Sequence, residues 1–209
     1  MEGAAKLARL LEHPAIWRGR STARFEVLPS GFAALDERLP GKGWPRSGLI
    51  EILTARFGSG ELYLVLPALA TLTRAATARW CVWVAPPLMP FPPALASAGV
   101  VLEQMAVVGG ARPLWAFEQV LGSGACDVAL AWVGRPKPRE LRRLQLAAER
   151  GRTLGILFRP RSAAREASPA VLRLGLTSLA AHLRVTLLKG RGMDRGSIEL
   201  PWPENQPLR

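Results

Sequence analysis

Between the apolar run Gly48 to Leu53 and an apolar helical stretch lies the loop Ala55-Arg56-Phe57-Gly58-Ser59-Gly60-Glu61-Leu62. A strand, a glycine-containing loop and a helix in that order are where nucleotide-binding α/β proteins hold phosphates, because free backbone N–H groups and the helix dipole face the anion. Set on the pattern GxxxxGK[ST], Gly60 matches the second glycine. Ala55 stands at the first glycine, Glu61 at the lysine and Leu62 at the magnesium-binding hydroxyl. The charge is inverted. A carboxylate repels the triphosphate that a lysine attracts, and Leu62 has no oxygen for a metal, so two groups that stabilise phosphoryl transfer are missing. Gly58, Ser59, Gly60, Glu61 and Leu62 therefore read as a degenerate phosphate-binding loop, with no catalytic residue, no cofactor and no metal expected.

Other reactive side chains are sparse. Cys81 and Cys126 each sit in an apolar segment, and His13 and His182 stand alone, so neither a disulfide framework nor a metal site is indicated; both thiols read as buried. Charge is the stronger signal. The 28 Lys and Arg against 16 Asp and Glu leave a formal +12 over 209 residues. Residues 1–134 hold 12 basic and 10 acidic side chains, whereas residues 135–209 hold 16 and 6. A field of that sign favours polyanions or an acidic protein partner. No apolar run approaches the roughly eighteen uncharged residues of a membrane span. The start MEGAAKLARLLEHP also lacks the pattern of a secretory signal, so a cytoplasmic location without membrane contact is expected.

The elements that must position these groups alternate along the chain. AAKLARLLE, residues 4–12, places Leu7, Leu10 and Leu11 at helical spacing. After a looser stretch, FAALDERL reads as helical turns, PGKGWPRSG as a glycine and proline turn, and LIEIL as the first core strand. ELYLVLPALATLTRAA follows as a helix in spite of Pro67, then WCVWVA as strand, PPALASAG as helix, MAVVG as strand, PLWAFEQVLGSG as helix and DVALAWV as strand. PRELRRLQLAAERG is a helix with Leu141, Leu144 and Ala148 on one face, and TLGILF another strand. Continuously apolar strands alternating with helices predict an α/β fold, a mostly parallel sheet with helices on both faces. VLRLGL, HLRVTLL and the strand after RGMDRG are expected to extend that sheet in antiparallel fashion. The domain expectation is a helix and linker over 1–24, one core domain over 25–200 and a flexible tail over 201–209. Trp83 and Trp115 read as core.

The order LPSGFAALDERLPGKGWPRSGLIEIL, degenerate loop, helix, WCVWVAPPLMPFPPALASAGV, MAVVGG, FEQVLGSGACDVALAW and LRRLQLAAERGRTLGILFRP resembles ImuA, the RecA-like family of bacterial translesion synthesis operons. The similarity spans about Pro29 to Leu200 and implies a RecA-like core. Carried over residue by residue, it puts Pro86 where RecA has its water-activating acid and Trp132 where it has the metal-binding aspartate. The resemblance thus implies a non-catalytic, pseudo-ATPase adaptor of the SOS response to DNA damage, serving mutagenic translesion synthesis and DNA repair. Its implied partners are an ImuB-like protein, RecA and an error-prone replicative-type polymerase subunit. The alternative is an inhibitor of cell division like SulA, which shares this degenerate architecture and binds the division GTPase FtsZ.

Two further surfaces follow. The segment matching RecA's second DNA-binding loop, Arg159–Pro169, offers Arg159, Arg161 and Arg165 to phosphates but no aromatic ring for base stacking, so DNA contact there would be electrostatic and indifferent to sequence. Arg139, Arg142, Arg143 and Arg150 read as the exposed face of their helix, and Lys189 and Arg191 match RecA interface lysines only approximately. For protein partners, the apolar residues least committed to the core are Leu7, Leu10, Leu11, Ile16 and Trp17 at one end and Trp202 at the other.

Overall fold

The computed structural model describes residues 26–192 and 195–203. A small antiparallel pair, β1 (Val27–Leu28) and β2 (Trp44–Pro45), flanks the one-turn helix α1 (Ala33–Asp36). The main sheet is built from β3 (Gly48–Thr54), β4 (Trp80–Val84), β5 (Met105–Val108), β6 (Cys126–Trp132), β7 (Leu154–Pro160), β8 (Leu172–Ser178), β9 (His182–Lys189) and β10 (Gly196–Pro201). Its order is β10-β9-β8-β3-β7-β6-β4-β5. The connecting helices are α2 (Glu61–Thr73), α3 (Pro92–Ser97), α4 (Pro113–Gly122) and α5 (Pro138–Gly151).

The layering follows from strand alternation. Ile50 and Ile52 of β3 pack with Leu64, Val65 and Leu69 of α2 and with Leu95 of α3, while Leu49 packs with Phe117 and Leu121 of α4 and with Leu141 and Leu144 of α5. A strand apolar on both faces has to be covered on both, which is why β3 is buried along its whole length. α5 reads its sequence plainly, with Leu141, Leu144, Ala147 and Ala148 buried and Arg139, Arg142, Arg143 and Arg150 exposed. α2 keeps going through Pro67. The ring lies against Gly31, where a Cβ would sit 2.4 Å from the Pro67 Cβ, and Gly31 also has a φ of +88°. The glycine of Ser30-Gly31-Phe32 is thus required twice, by conformation and by close approach.

The C-terminal strands depart from expectation in one respect. β9 and β10 are antiparallel to their neighbours, but β8 runs parallel to β3. Residues 161–171 between β7 and β8 provide about the dozen residues that a parallel crossover needs, so the chain returns on the other side of β3 before its first hairpin. Trp83 is core as expected and Trp115 is not: it is half exposed in the first turn of α4, with the Arg112 guanidinium 4.8 Å from its ring centre. Both cysteines are buried free thiols; burial pushes the Cys81 thiol up to about 12. Among the described residues no helix is long and apolar enough to cross a membrane, and no group of three or more His, Cys, Asp or Glu is placed to hold a metal.

Candidate functional site

The loop after β3 folds around its own carboxylate. The Gly58 and Ser59 N–H groups donate to the two Glu61 carboxylate oxygens at 2.5 and 2.8 Å, and Glu61 is 2% exposed. The Thr54 hydroxyl donates to the Arg56 carbonyl at 2.9 Å and lies 3.2 Å from the Ser59 hydroxyl, which also donates to Arg56. Two amides of the kind that hold a phosphate at a helix start are thus occupied by an anion from the same chain. The position is also favourable for Glu61, whose charge stands at the positive end of α2.

Aromatic rings from distant segments close over this loop. Gly60 has a φ of +100°, and a Cβ there would meet the Trp202 ring at 2.5 Å. Trp202 lies 5.4 Å from the Tyr63 ring, which lies 5.1 Å from Phe32. The Trp202 indole N–H donates to the Leu179 carbonyl at 2.8 Å, and the Tyr63 hydroxyl donates to the Pro201 carbonyl at 2.7 Å. Trp202 is therefore not a free hook on a tail. Pro201 already belongs to β10, and the indole is held by a ring, a carbonyl and a glycine. Leu62 is half-buried and packs against the same core.

At the carboxyl ends of the neighbouring strands, Trp132 stacks on Phe158 with ring centres 4.7 Å apart and lies 5.5 Å from Trp83. Pro86 follows β4 and is half-buried. Neither presents an oxygen. Directly before Pro86, Ala85 takes a left-handed φ of +49°, rare for a residue with a Cβ, and its N–H is tied to the Val108 carbonyl at 2.9 Å. The chain leaves the sheet at that kink and carries Leu88, Met89 and Phe91 into solvent at 80, 78 and 67% exposure. These three residues were missed in the sequence. The signal for them is apolar side chains threaded through Pro86, Pro87, Pro90, Pro92 and Pro93, a spacing that denies the stretch both a strand ladder and a helix interior.

The basic segment after β7 divides in two. Arg159 is fully buried, its guanidinium 3.1 Å from Glu51 and 2.6 Å from Glu166, so it is not available to a DNA phosphate. It occupies the β7 face that also carries Leu157, beneath residues 161–170, and strand parity rather than loop character decides its direction. Glu51 also accepts from Arg173 at 2.6 Å and from the Ser168 hydroxyl at 2.9 Å. Arg161 and Arg165 are exposed, as are Lys189 and Arg191; the Arg161 guanidinium donates to the Thr177 hydroxyl at 2.9 Å. Leu7, Leu10, Leu11, Ile16 and Trp17 lie outside the described residues.

No family model matches the chain. Sequence relatives are, however, clear. The cell division inhibitor SulA of Edwardsiella piscicida is 30% identical over 56% of this chain and 70% of its own length. SulA of Pectobacterium atrosepticum is 31% identical over 57% of this chain and 73% of its own. SulA of Photorhabdus laumondii is 31% identical over 49% of this chain, but the match spans only 59% of that relative's length. Among solved structures, SulA from Pseudomonas aeruginosa aligns with 53% of this chain and 97% of its own at 23% identity and a TM-score of 0.46. These relatives overturn the translesion reading. They are division inhibitors, so ImuB, RecA and a polymerase subunit are withdrawn as partners, and the resemblance holds for the SulA-like superfamily rather than for ImuA itself.

Proposed function

The chain belongs to the SulA family of cell division inhibitors, and on that premise we propose that it blocks division by binding the GTPase FtsZ in the cytoplasm, without catalysis of its own, as part of the SOS response to DNA damage. The observation that carries the binding role is the segment Leu88, Met89 and Phe91, three large apolar side chains more than two-thirds exposed or close to it on one short proline-bounded loop. Scattered apolar residues on a surface need no explanation, whereas several together on one loop mark an interaction site. The prolines favour such a role because a stiff loop loses little conformational entropy on docking.

The non-catalytic part of the reading is supported by the loop after β3. Glu61 occupies its amides and Trp202 covers its glycine, so the loop is folded on itself. A protein of this kind acts by occupying a surface, so its inhibition should be stoichiometric with FtsZ.

Two measurements test this. Controlled expression in a rod-shaped bacterium should give filamentous cells, and the purified protein should suppress GTP-dependent FtsZ assembly in a sedimentation assay as it approaches equimolar concentration. The pair Leu88→Asp and Met89→Asp should weaken that suppression about tenfold or more, since losing two buried apolar anchors at an interface costs at least ~1.4 kcal/mol. Undisturbed FtsZ assembly at a molar excess of the folded protein would refute the division reading. Full inhibition by the double variant would instead move the contact elsewhere on the surface.

A further inference from the structure

A cavity of about 490 Å³ opens beside the buried ion cluster, between the segment after β7 and the ends of β8 and β9; it is lined by Glu166, Ser168, Arg173, Leu188, Lys189 and Arg195 together with two alanines. Among the described residues its charges do not balance. Glu51 and Glu166 answer the two buried guanidiniums of Arg159 and Arg173. Lys189 and Arg195 then remain without an acidic partner among the described residues.

The donors are held in place and only partly used. The Lys189 ammonium donates one bond, to the Ser168 carbonyl at 2.7 Å, which fixes it at the rim with two N–H groups to spare. Arg173, 6% exposed, donates to Glu51 and to the Glu166 and Ala163 carbonyls; of the five N–H donors of a guanidinium, two are left. Burial and then the charge of Arg173 press the Lys189 pKa downward, and the Glu51 carboxylate offsets this only in part.

We infer that this cavity is a binding site for a carboxylate side chain on an acidic segment of a protein partner, received by Lys189, Arg195 and the rim of Arg173. The alkyl lining of Leu188, Ala164 and Ala167 suits the short aliphatic stem of Asp or Glu. The lining holds no aromatic ring on which a nucleic acid base could stack. The site lies apart from Leu88, Met89 and Phe91 and stands or falls independently of the FtsZ reading.

The test uses the full chain and two labelled probes of equal charge, a Glu-rich decapeptide and a single-stranded oligonucleotide, followed by fluorescence anisotropy at low and moderate salt. The peptide should bind, and Lys189→Gln with Arg195→Gln should weaken it about tenfold or more while an Arg139→Gln control on the exposed face of α5 leaves it unchanged. Both substituted residues are exposed, and an unchanged melting temperature will show that the variant folds. Equal peptide binding by variant and parent, or an oligonucleotide that binds tighter and shows the same dependence on Lys189 and Arg195, overturns the assignment.

Discussion

Glu51→Gln removes a single negative charge from a place where the surroundings have no replacement for it. The carboxylate is fully buried in the middle of β3 and accepts from Arg159, Arg173 and Ser168, two of them cations with 0 and 7% side-chain exposure. In the variant, the Glu166 carboxylate is the one anion left against two guanidiniums, and Glu166 is itself 47% exposed. Breaking a buried pair by removing one partner costs roughly 3–5 kcal/mol, because the remaining charge stays out of water. The glutamine oxygen still accepts a hydrogen bond, so the lower end applies. At about 2–4 °C per kcal/mol for a chain of this size, ~3 kcal/mol corresponds to a fall of about 6–12 °C in Tm. Circular dichroism melting and urea titration read it, with Arg161→Gln on the exposed side of the same segment as the control. Adding Arg173→Met to Glu51→Gln should recover part of the loss, since it removes the cation left behind. A fall below about 2 °C for Glu51→Gln, or a double variant less stable than the single by the full effect of Arg173→Met alone, would refute the view that charge balance holds this cluster together.

Glu61→Ala should cost about 1–2 kcal/mol in urea unfolding, because the Gly58 and Ser59 amides lose their acceptor, and Glu61→Lys should bind no ATP by equilibrium dialysis. Trp202→Ala should lower stability by about 3 kcal/mol or somewhat less for a half-buried indole, read in the same titration, as expected of a ring packed on Tyr63 and Gly60. Both thiols should resist a disulfide reagent at pH 8 in the folded protein and react once it is unfolded, since burial raises Cys81 to about 12 and raises Cys126 as well. The hydrogen bond from Arg184, followed by the charges of His182 and Arg184, holds the Glu199 carboxyl below its usual value. Its stabilising effect is therefore present above the unfolded carboxyl pKa and disappears as pH falls through the lower folded value. A carboxyl-carbon NMR titration should find Glu199 below 4.5, and Arg184→Ala should move it back up.

Local pattern was enough for the scaffold. The continuous apolar runs of β3, β6 and β7 call for cover on both faces, the 3.6-residue spacing of Leu141, Leu144 and Ala148 marks the buried side of α5, and the glycine-rich loop before Glu61 marks where a helix begins. Each of these depends on neighbours a few residues away, which is the range over which sequence periodicity carries information. The inverted charge at Glu61 was equally legible. What it does was not, because only the folded loop shows the carboxylate turned back onto the Gly58 and Ser59 amides.

Partners far apart in the chain decided the rest. Arg159 reads as a loop cation, yet it finds Glu51 across 108 residues and becomes the most buried charge of its segment. Trp202 reads as a loose end, yet Tyr63 lies 138 residues before the Pro201 carbonyl that it bonds, and the indole closes over Gly60. β8 reads as the start of an antiparallel extension and instead inserts parallel to β3, which its own residues do not specify. Leu88, Met89 and Phe91 would be core in a strand, but the turn at Ala85 and the surrounding prolines carry them out of the sheet. Composition and periodicity determined which segments had to be buried; which charges met, and which apolar side chains were left over for solvent or a partner, depended on the order in which the strands were assembled.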